Sequence, residues 1–589
     1  MERRWRIRPH DEVRIAALER AAGVSPVVAK LLLARGIGDP QQASSFLDAK
    51  LTGLRDPELL PGLTAAADRV HAAVQQGRRI IIYGDYDADG MTATGLLFCC
   101  LRLLGANVGY YVPNRLEEGY GLNTDALQKL AVRGASMVIS VDCGIGSVAE
   151  AAAARELNLE LIVTDHHELG DGDLLPAAAG IVHPRLPGSA YPFGGLCGAG
   201  VAFKLAWALC QRASEAKRVK PAMRDFLLAA VGLAAVGTVA DVVPLLDENR
   251  ILVRHGLVSL RERPLPGIAA LLRVTGLDQK PHLSAEDIAF MLAPRLNAAG
   301  RLGQAQLGVE LITTESPTRA ASLADYIHEL NGSRETLERS VLLAANKQIK
   351  EHFDPEADPA LVLAGVAWHP GVIGIVAGRL AEKYHRPVVI ISWDQVGAKP
   401  GIGSARTAGR LNLHRALAAC GRHLLSHGGH AAAAGLRIEE AKLEAFRADF
   451  CEHVAGEVSQ EERIAEVHID AEATLSQLTL KTVEQMEKLA PFGNANPRPV
   501  LCASGVTLAD APRRMGNGER HLSVRVRQHG VTVRGVAFGQ GEAADDLARL
   551  QTPLDLAFRP VINDFNGRRS VEMHLVDWRS SKIPALAGR

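Results

Sequence analysis

Asp85, Asp87 and Asp89 fall within five residues in the stretch RRIIIYGDYDADGMTATGLL, directly after an apolar run and just before Gly90. Carboxylates this close repel one another unless cations lie between them. Two more apolar runs end in the same manner. SMVISV leads into Asp142, and LELIVT leads into Asp165, His166 and His167. A single acid, Asp241, stands inside AAVGTVADVVPLL, where an unpaired carboxylate is costly to bury. Each aspartate taken singly could cap a helix or a turn. Taken together, a set of carboxylates and imidazoles suits a hard or borderline divalent ion such as Mn²⁺ or Mg²⁺ better than zinc, which favours cysteine-rich sets.

DYDADG also matches the opening of a calcium-binding EF-hand loop. That loop needs a glutamate at its twelfth position, here Leu96, and a preceding helix, whereas RIIIYG reads as a strand. The calcium-loop reading therefore fails.

The elements that must position these acids follow from hydrophobic spacing. RIIIYGD, NVGYYVPN, SMVISVDCG, LELIVTDHH and AGIVHP read as short strands, separated by helical segments such as VAEAAAARELN. Strands apolar on both faces and alternating with helices predict a mostly parallel sheet, whose strand ends form the ligand crevice. The expected fold class is α/β, in five segments: N-terminal helices over 1–75, a catalytic lobe over 76–315, a connecting helix over 316–353, a smaller α/β lobe over 354–458, and a strand-rich domain over 459–589. The DPEADP stretch marks the boundary of the smaller lobe. Five or so short strands in the last segment suggest an OB-type β-barrel.

The chain has 589 residues, 47% of them hydrophobic, enough for several packed cores. Its net charge is zero, with 66 basic and 66 acidic residues, so overall charge neither requires nor excludes a nucleic-acid partner. Eight scattered cysteines without a C-x-x-C pair fit buried thiols in a reducing compartment. The charged N-terminus does not read as a signal peptide, and LLAAVGLAAVGTVADVVPLL, the nearest approach to a membrane span, is interrupted by Asp241. A soluble, cytoplasmic protein without a membrane partner is expected.

DYDADG, VDCG, TDHH and GTVADVVPL, in this order, resemble the four motifs of the DHH phosphoesterases. APRLNAAGRLG and WHPGVIGIVAGRL extend the resemblance, and GSARTAG and GGHAAAAGL resemble the DHHA1 domain that accompanies this catalytic lobe. With the barrel, the pattern is most similar to the family's single-strand-specific 5′→3′ exonucleases of bacteria. One departure is PFGNANP, with Ala495 where glycine is common.

The resemblance implies two divalent cations, Mn²⁺ or Mg²⁺. Asp87 and Asp89 would contribute one carboxylate to each, Asp142 would bridge them, and His166 and Asp241 would complete the second site. Asp85 would take a place that smaller relatives give to histidine, Asp165 would orient its neighbours, and His167 would reach the scissile phosphate. Arg295, Asn297 and Arg301 would hold the substrate backbone, Ser404, Arg406, Gly428, Gly429 and His430 the 5′-terminal phosphate and first nucleotide, and His369 would also bind substrate. Arginines of the barrel with Phe538, Phe558, Phe565 and Trp578 would thread the single strand by charge and stacking. The implied function is release of 5′-mononucleotides from single-stranded DNA in recombination and repair, with single-strand-binding protein and a RecQ-type helicase as expected partners. The alternatives are a hydrolase of oligonucleotides or cyclic dinucleotides, whose members are generally shorter, and a non-catalytic single-strand-binding scaffold, against which the intact ligand set argues.

Overall fold

The computed structural model describes residues 3–115, 117–169, 174–354, 357–395, 399–550, 552–565 and 567–581. The Phe565 side chain and part of DPEADP lie outside the described residues.

All five strands expected in the first lobe are present: β1 (Ile80–Tyr83), β2 (Val108–Tyr111), β3 (Met137–Val141), β4 (Glu160–Thr164) and β5 (Gly180–Val182). They pair in parallel in the order β2-β1-β3-β4-β5. Successive strand residues point to opposite faces. Ile80, Ile82 and Ile139 accordingly enter one core with helices α1 (Ala88–Leu103), α2 (Gly198–Ser214) and α3 (Pro221–Ala240), while Ile81, Tyr83 and Val138 enter another with Leu127 and Leu130. Strand order reverses between β1 and β3, which makes their carboxyl ends the crevice of the sheet. Asp85–Asp89 and Asp142 lie there. Among the described residues α3 is the one helix long and apolar enough to cross a membrane, and Leu227–Val239 supply much of the first lobe's core.

Helix α4 (Ala293–Arg301) is the APRLNAAGR stretch, and α5 (Pro317–His352) is the expected connecting helix. Ala320, Leu323, Ala324 and Ile327 of α5 pack in the first lobe, whereas Val341, Ala345 and Ile349 pack in the second. The second lobe's sheet runs β9 (Leu424–Gly429), β10 (Ala433–Ile438), β8 (Gly401–Arg406), β7 (Val388–Trp393), β6 (Leu361–Val366), with α6 (Pro370–Tyr384) packed on it. Hydrophobic spacing foretold only β6 and β7, because β8–β10 (GIGSAR, LLSHGG and AAGLRI), though equally long, are rich in glycine, alanine and polar residues and carry little β signal.

The C-terminal domain contains β11 (Leu501–Leu508), β12 (Arg513–Met515), β13 (His521–Gln528), β14 (Val531–Ala537), β15 (Leu554–Phe565) and β16 (Arg568–Ser580). Two residue pairs, Thr507–Arg527 and Leu508–Val526, bring β11 back to β13, a short closure of the OB-type sheet. The helices between residues 12 and 48 do not stand apart from it. Ile15, Leu18, Leu31 and Leu32 share a core with Leu475, Met486 and Phe558, and Arg4–Ile7 pairs in parallel with Glu466–Ile469. Leu63–Gln75, by contrast, packs in the first lobe, so the expected 1–75 segment divides between the two. Buried Arg250 ties these parts together, donating to the carbonyls of Phe46, Lys488 and Leu489.

Candidate active site

The chain leaves β1 at Tyr83 and turns into α1 through the three aspartates. Asp87 caps α1, its Oδ1 accepting from the Asp89 and Gly90 N–H groups at 2.9 and 3.0 Å. A Cβ on Gly90 would lie 2.6 Å from the Asp85 Cβ, so this turn requires glycine. Asp89 points the other way, into the lobe. Its two oxygens accept from Gly198 N–H (2.7 Å) and Ala199 N–H (2.9 Å) at the start of α2, where backbone donors and the helix dipole favour a carboxylate. Asp142 follows β3 with φ +63°, and a Cβ on Gly198 would lie 2.5 Å from its own Cβ. Asp241 ends α3; the next residue, Val242, has φ +59° and accepts at its carbonyl from Asn494 Nδ2 at 2.6 Å. Ala495, the departure noted in PFGNANP, has φ +58°, the left-handed region that glycine enters without strain.

These elements bring together every acid and histidine singled out as a ligand. Donor atoms of Asp85, Asp87 and Asp142 lie within 4.8 Å of one another, as do those of Asp89, His166 and Asp241, and those of Asp142, His166 and His167. Asp142 belongs to two of the groups, and its Oδ1 lies 3.0 Å from His166 Nε2. Asp85 Oδ1, Asp142 Oδ1 and His166 Nε2 are buried without any hydrogen-bond partner, the state expected of atoms shaped to ligate a cation. The donor chemistry and these orphaned atoms fit a pair of divalent ions.

Charge within the cluster is correspondingly unbalanced. Burial, then the neighbouring carboxylates, push Asp85 and Asp142 well above the usual range, and Asp241 to about 8. Burial lowers His166 to about 4, against the pull of Asp89, so it presents a neutral imidazole. Asp165 behaves differently. Burial would raise it, but hydrogen bonds from His167 Nδ1 (2.7 Å) and the Ile145 N–H (2.8 Å) hold it near 2. His167 is in turn raised to about 9: burial works against its charge, and Asp165 outweighs burial.

The residues expected to meet substrate divide. Asn297 Oδ1 accepts the Ala88 N–H at 2.8 Å and so holds the start of α1. Gly300, one helical turn on, sits against the same loop, since a Cβ there would lie 1.9 Å from the Tyr86 carbonyl. Arg301 lies where burial, then Arg115 and Arg406, lower it to about 10, and it donates to the Gly371 carbonyl at the start of α6. Arg406 donates to Ser404 Oγ at 2.9 Å, and both side chains fit beside Gly374, where a Cβ would meet Arg406 Nη2 at 2.8 Å. His369 caps α6 by accepting from the Gly371 N–H. Gly428 and Gly429 are exposed on β9, Gly429 with φ +132°, and His430 Nδ1 lies 3.9 Å from Glu168 of the first lobe. Arg295 is not brought to this group. It is buried, donating to His328 Nδ1 on α5 and to the Met291 carbonyl. Six residues separate Arg295 from Arg301, which sets them roughly 120° apart around a helix.

In the barrel, Phe558 is fully buried and Trp578 packs against the core, leaving Phe538 exposed between His521 and His574. Arg514, Arg525, Arg534 and Arg569 are paired with carboxylates, while Arg513, Arg527, Arg559 and Arg568 are exposed and have no ion pair among the described residues.

Sequence spacing gave no sign of several participants. Gly198 and Ala199 anchor Asp89 from more than a hundred residues away. Tyr120 Oη contacts the Asp142 carbonyl and the His167 ring. Arg115 lies over the Tyr86 ring at 4.9 Å, its charge acting on both Arg301 and Arg406.

The DHH family N-terminal domain matches residues 79–231, the DHHA1 domain residues 358–456, and the RecJ OB domain residues 469–577. Single-stranded-DNA-specific exonuclease RecJ of Bacillus subtilis is 36% identical over 577 residues, 98% of this chain and 70% of that protein. The Escherichia coli protein of the same name is 35% identical over 571 residues, 94% of this chain and 95% of that protein. The crystal structure of Thermus thermophilus RecJ in complex with Mn²⁺ superimposes with a TM-score of 0.82 at 32% identity, covering 99% of this chain and 80% of that one.

Proposed function

The chain belongs to the RecJ family of single-stranded-DNA-specific exonucleases, and we propose that it removes nucleotides from the 5′ end of single-stranded DNA at a two-metal centre. The observation that carries this reading is that Asp142 joins a carboxylate group (Asp85, Asp87) to a histidine group (His166, His167), and His166 in turn joins Asp89 and Asp241, with Asp142 Oδ1, Asp85 Oδ1 and His166 Nε2 left without hydrogen-bond partners.

Asp85, Asp87 and Asp142 would hold one Mn²⁺ or Mg²⁺, and Asp89, His166 and Asp241, again with Asp142, the other. Bound there, such ions supply Lewis acidity at the phosphodiester and a hydroxide nucleophile near neutral pH. The chain's own groups do the rest. His167, protonated at neutral pH and tethered by Asp165, is charged to meet the scissile phosphate. Arg301 and Arg406 both feel the charge of Arg115, and none of the three makes a direct ion pair with a carboxylate among the described residues, an arrangement suited to the terminal phosphate together with Ser404. His369, Gly428, Gly429 and His430 line the second-lobe side, where glycines let the first nucleotide's backbone approach. Asn297 serves the site by fixing the start of α1, and Arg295 by bracing α4 against α5.

A phosphate pocket close to the metals would select a 5′ end and release 5′-mononucleotides in turn. The exposed arginines and Phe538 of the barrel would carry the strand beyond. Work in cytoplasmic recombination and repair, beside single-strand-binding protein and a RecQ-type helicase, completes the proposal. The test uses 5′- and 3′-labelled single strands and blunt duplex with Mn²⁺ or Mg²⁺. Label is expected to leave from the 5′ end of single strands first. Earlier release from the 3′ end, or equal attack on duplex, overturns the reading.

A further inference from the structure

Two consecutive residues, His166 and His167, send their rings to different tasks, which requires a backbone held in one place. The loop after β5 supplies the restraint. His183, fully buried, lies with Nε2 2.8 Å from the His167 carbonyl. The Arg185 N–H donates to His183 Nδ1 at 3.0 Å, so Nδ1 is the acceptor and Nε2 carries the hydrogen donated to that carbonyl. Arg185 Nη2 donates to the carbonyl of His166 at 2.6 Å. The stem of Arg185 fits because residue 194 is glycine, where a Cβ would lie 2.7 Å from Arg185 Cγ.

The platform under this loop is itself braced. β5 is the edge strand, and Gly62 covers its outer side so closely that a Cβ there would meet the Ile181 carbonyl at 1.7 Å.

We propose that His183 and Arg185 form a carbonyl clamp that positions His166 toward the acid cluster and His167 toward Asp165. Neither residue touches metal or substrate; both are positioning residues. Fixing the His166 carbonyl sets the peptide plane between the histidines, and fixing the His167 carbonyl sets the plane that follows. A tilt of that plane would move His166 Nε2 off its place beside Asp142, Asp89 and Asp241, which it approaches at 3.0, 3.9 and 3.5 Å. The mixed clamp, one neutral ring and one guanidinium, also leaves the carbonyls capped without placing a carboxylate beside the cluster. The inference rests on the metal role proposed above for His166.

The experiment is Mn²⁺ titration by calorimetry on the full-length protein, paired with steady-state hydrolysis of a single-stranded oligonucleotide. H183A and R185A are expected to weaken one of two Mn²⁺ sites by about 10–100-fold, the range for residues that orient a metal ligand. kcat should fall by a similar factor while KM for the oligonucleotide stays within about twofold, and R185K should recover more than R185A. H166A is measured alongside. If H166A retains both Mn²⁺ sites, the metal assignment itself falls. If H166A loses a site while H183A and R185A bind Mn²⁺ and turn over as wild type, the clamp alone is overturned. Should the alanine variants not fold, G194A carries the test, since it keeps both clamp side chains and displaces only the Arg185 stem. Wild-type Mn²⁺ binding and kcat in G194A would then overturn the clamp.

Discussion

His166 Nε2 lies 3.0 Å from Asp142 Oδ1, yet neither atom takes part in a hydrogen bond with the other or with anything else. Both are buried, and an unsatisfied buried donor or acceptor ordinarily costs about 1–3 kcal/mol. Two of them side by side suit the proposal that both atoms ligate a cation. Asp142 tests this directly. Asn tolerates the left-handed backbone that Asp142 adopts at φ +63° and removes the charge. Asp142→Asn should lower kcat by at least on the order of 10²-fold, while the metal-free variant melts no lower than metal-free wild type, because Asn is neutral without the proton that the buried Asp142 carboxyl must take up on folding. Wild-type turnover of a labelled oligonucleotide would remove Asp142 from the bridge.

Arg406→Ala should erase most of the preference for 5′-phosphorylated over 5′-hydroxyl ends. A hydrogen bond to a charged group is worth about 1.5–3 kcal/mol, so the expected loss is roughly 10–150-fold in relative kcat/KM. Competition between the two oligonucleotides in one reaction reads it.

Metal should stabilise the protein more at pH 8 than at pH 5. In the metal-free protein burial, followed by repulsion from neighbouring carboxylates, raises Asp85, Asp142 and Asp241, the last to about 8. Folded carboxyls then keep protons that the unfolded chain has already released. Stability therefore falls as pH rises from the unfolded carboxylate pKa of about 4 towards the folded value, and the loss is absent below about 4. Divalent ions displace those protons, so the rise in Tm on adding Mn²⁺ should grow across this interval. Thermal unfolding with and without Mn²⁺ at pH 5, 6.5 and 8 gives the curve.

Gly300→Ala should damage the site without touching a ligand. Its Cβ would lie 1.9 Å from the Tyr86 carbonyl, so α4 or the aspartate loop has to shift. Overpacking of this kind costs about 1–3 kcal/mol, readable as a lower urea midpoint with an unchanged slope. kcat should drop as well, because the displaced loop carries Asp85 and Asp87.

Phe538→Ala and Phe558→Ala should separate binding from folding in the barrel. Phe538 is 57% exposed and Phe558 is fully buried. Loss of a stacking ring costs about 1–3 kcal/mol of affinity for a long single strand at unchanged stability. Removing Phe558 costs about 3–5 kcal/mol of stability. Fluorescence anisotropy and chemical denaturation distinguish the two.

By itself the sequence determined what could be expressed locally. Apolar runs ending in Asp85, Asp142 and Asp165 fixed strands, their parallel arrangement and the edge on which acids gather, because a strand's period and its terminus are written in consecutive residues. The long helix over 317–352 and the barrel's larger strands were legible for the same reason. Tertiary structure decided which distant groups complete those local ones. Nothing near Asp89 says that Gly198 and Ala199 will hold both its oxygens, or that Arg185 will cap His166. Nor does spacing tell that Arg295 turns into packing against α5 while Arg301 comes near Arg115, Arg406 and Asp87, because helix rotation gives meaning only once the neighbouring helix is placed. Phe558 and Phe538 are the same residue type in the same domain, and only the packing of the N-terminal helices and Met486 with the sheet puts Phe558 inside while Phe538 stays out. Local periodicity fixes elements; the close approach of Asp142, the Tyr86 carbonyl and Arg185 to Gly198, Gly300 and Gly194 fixes the site, and that approach is a property of the packed whole.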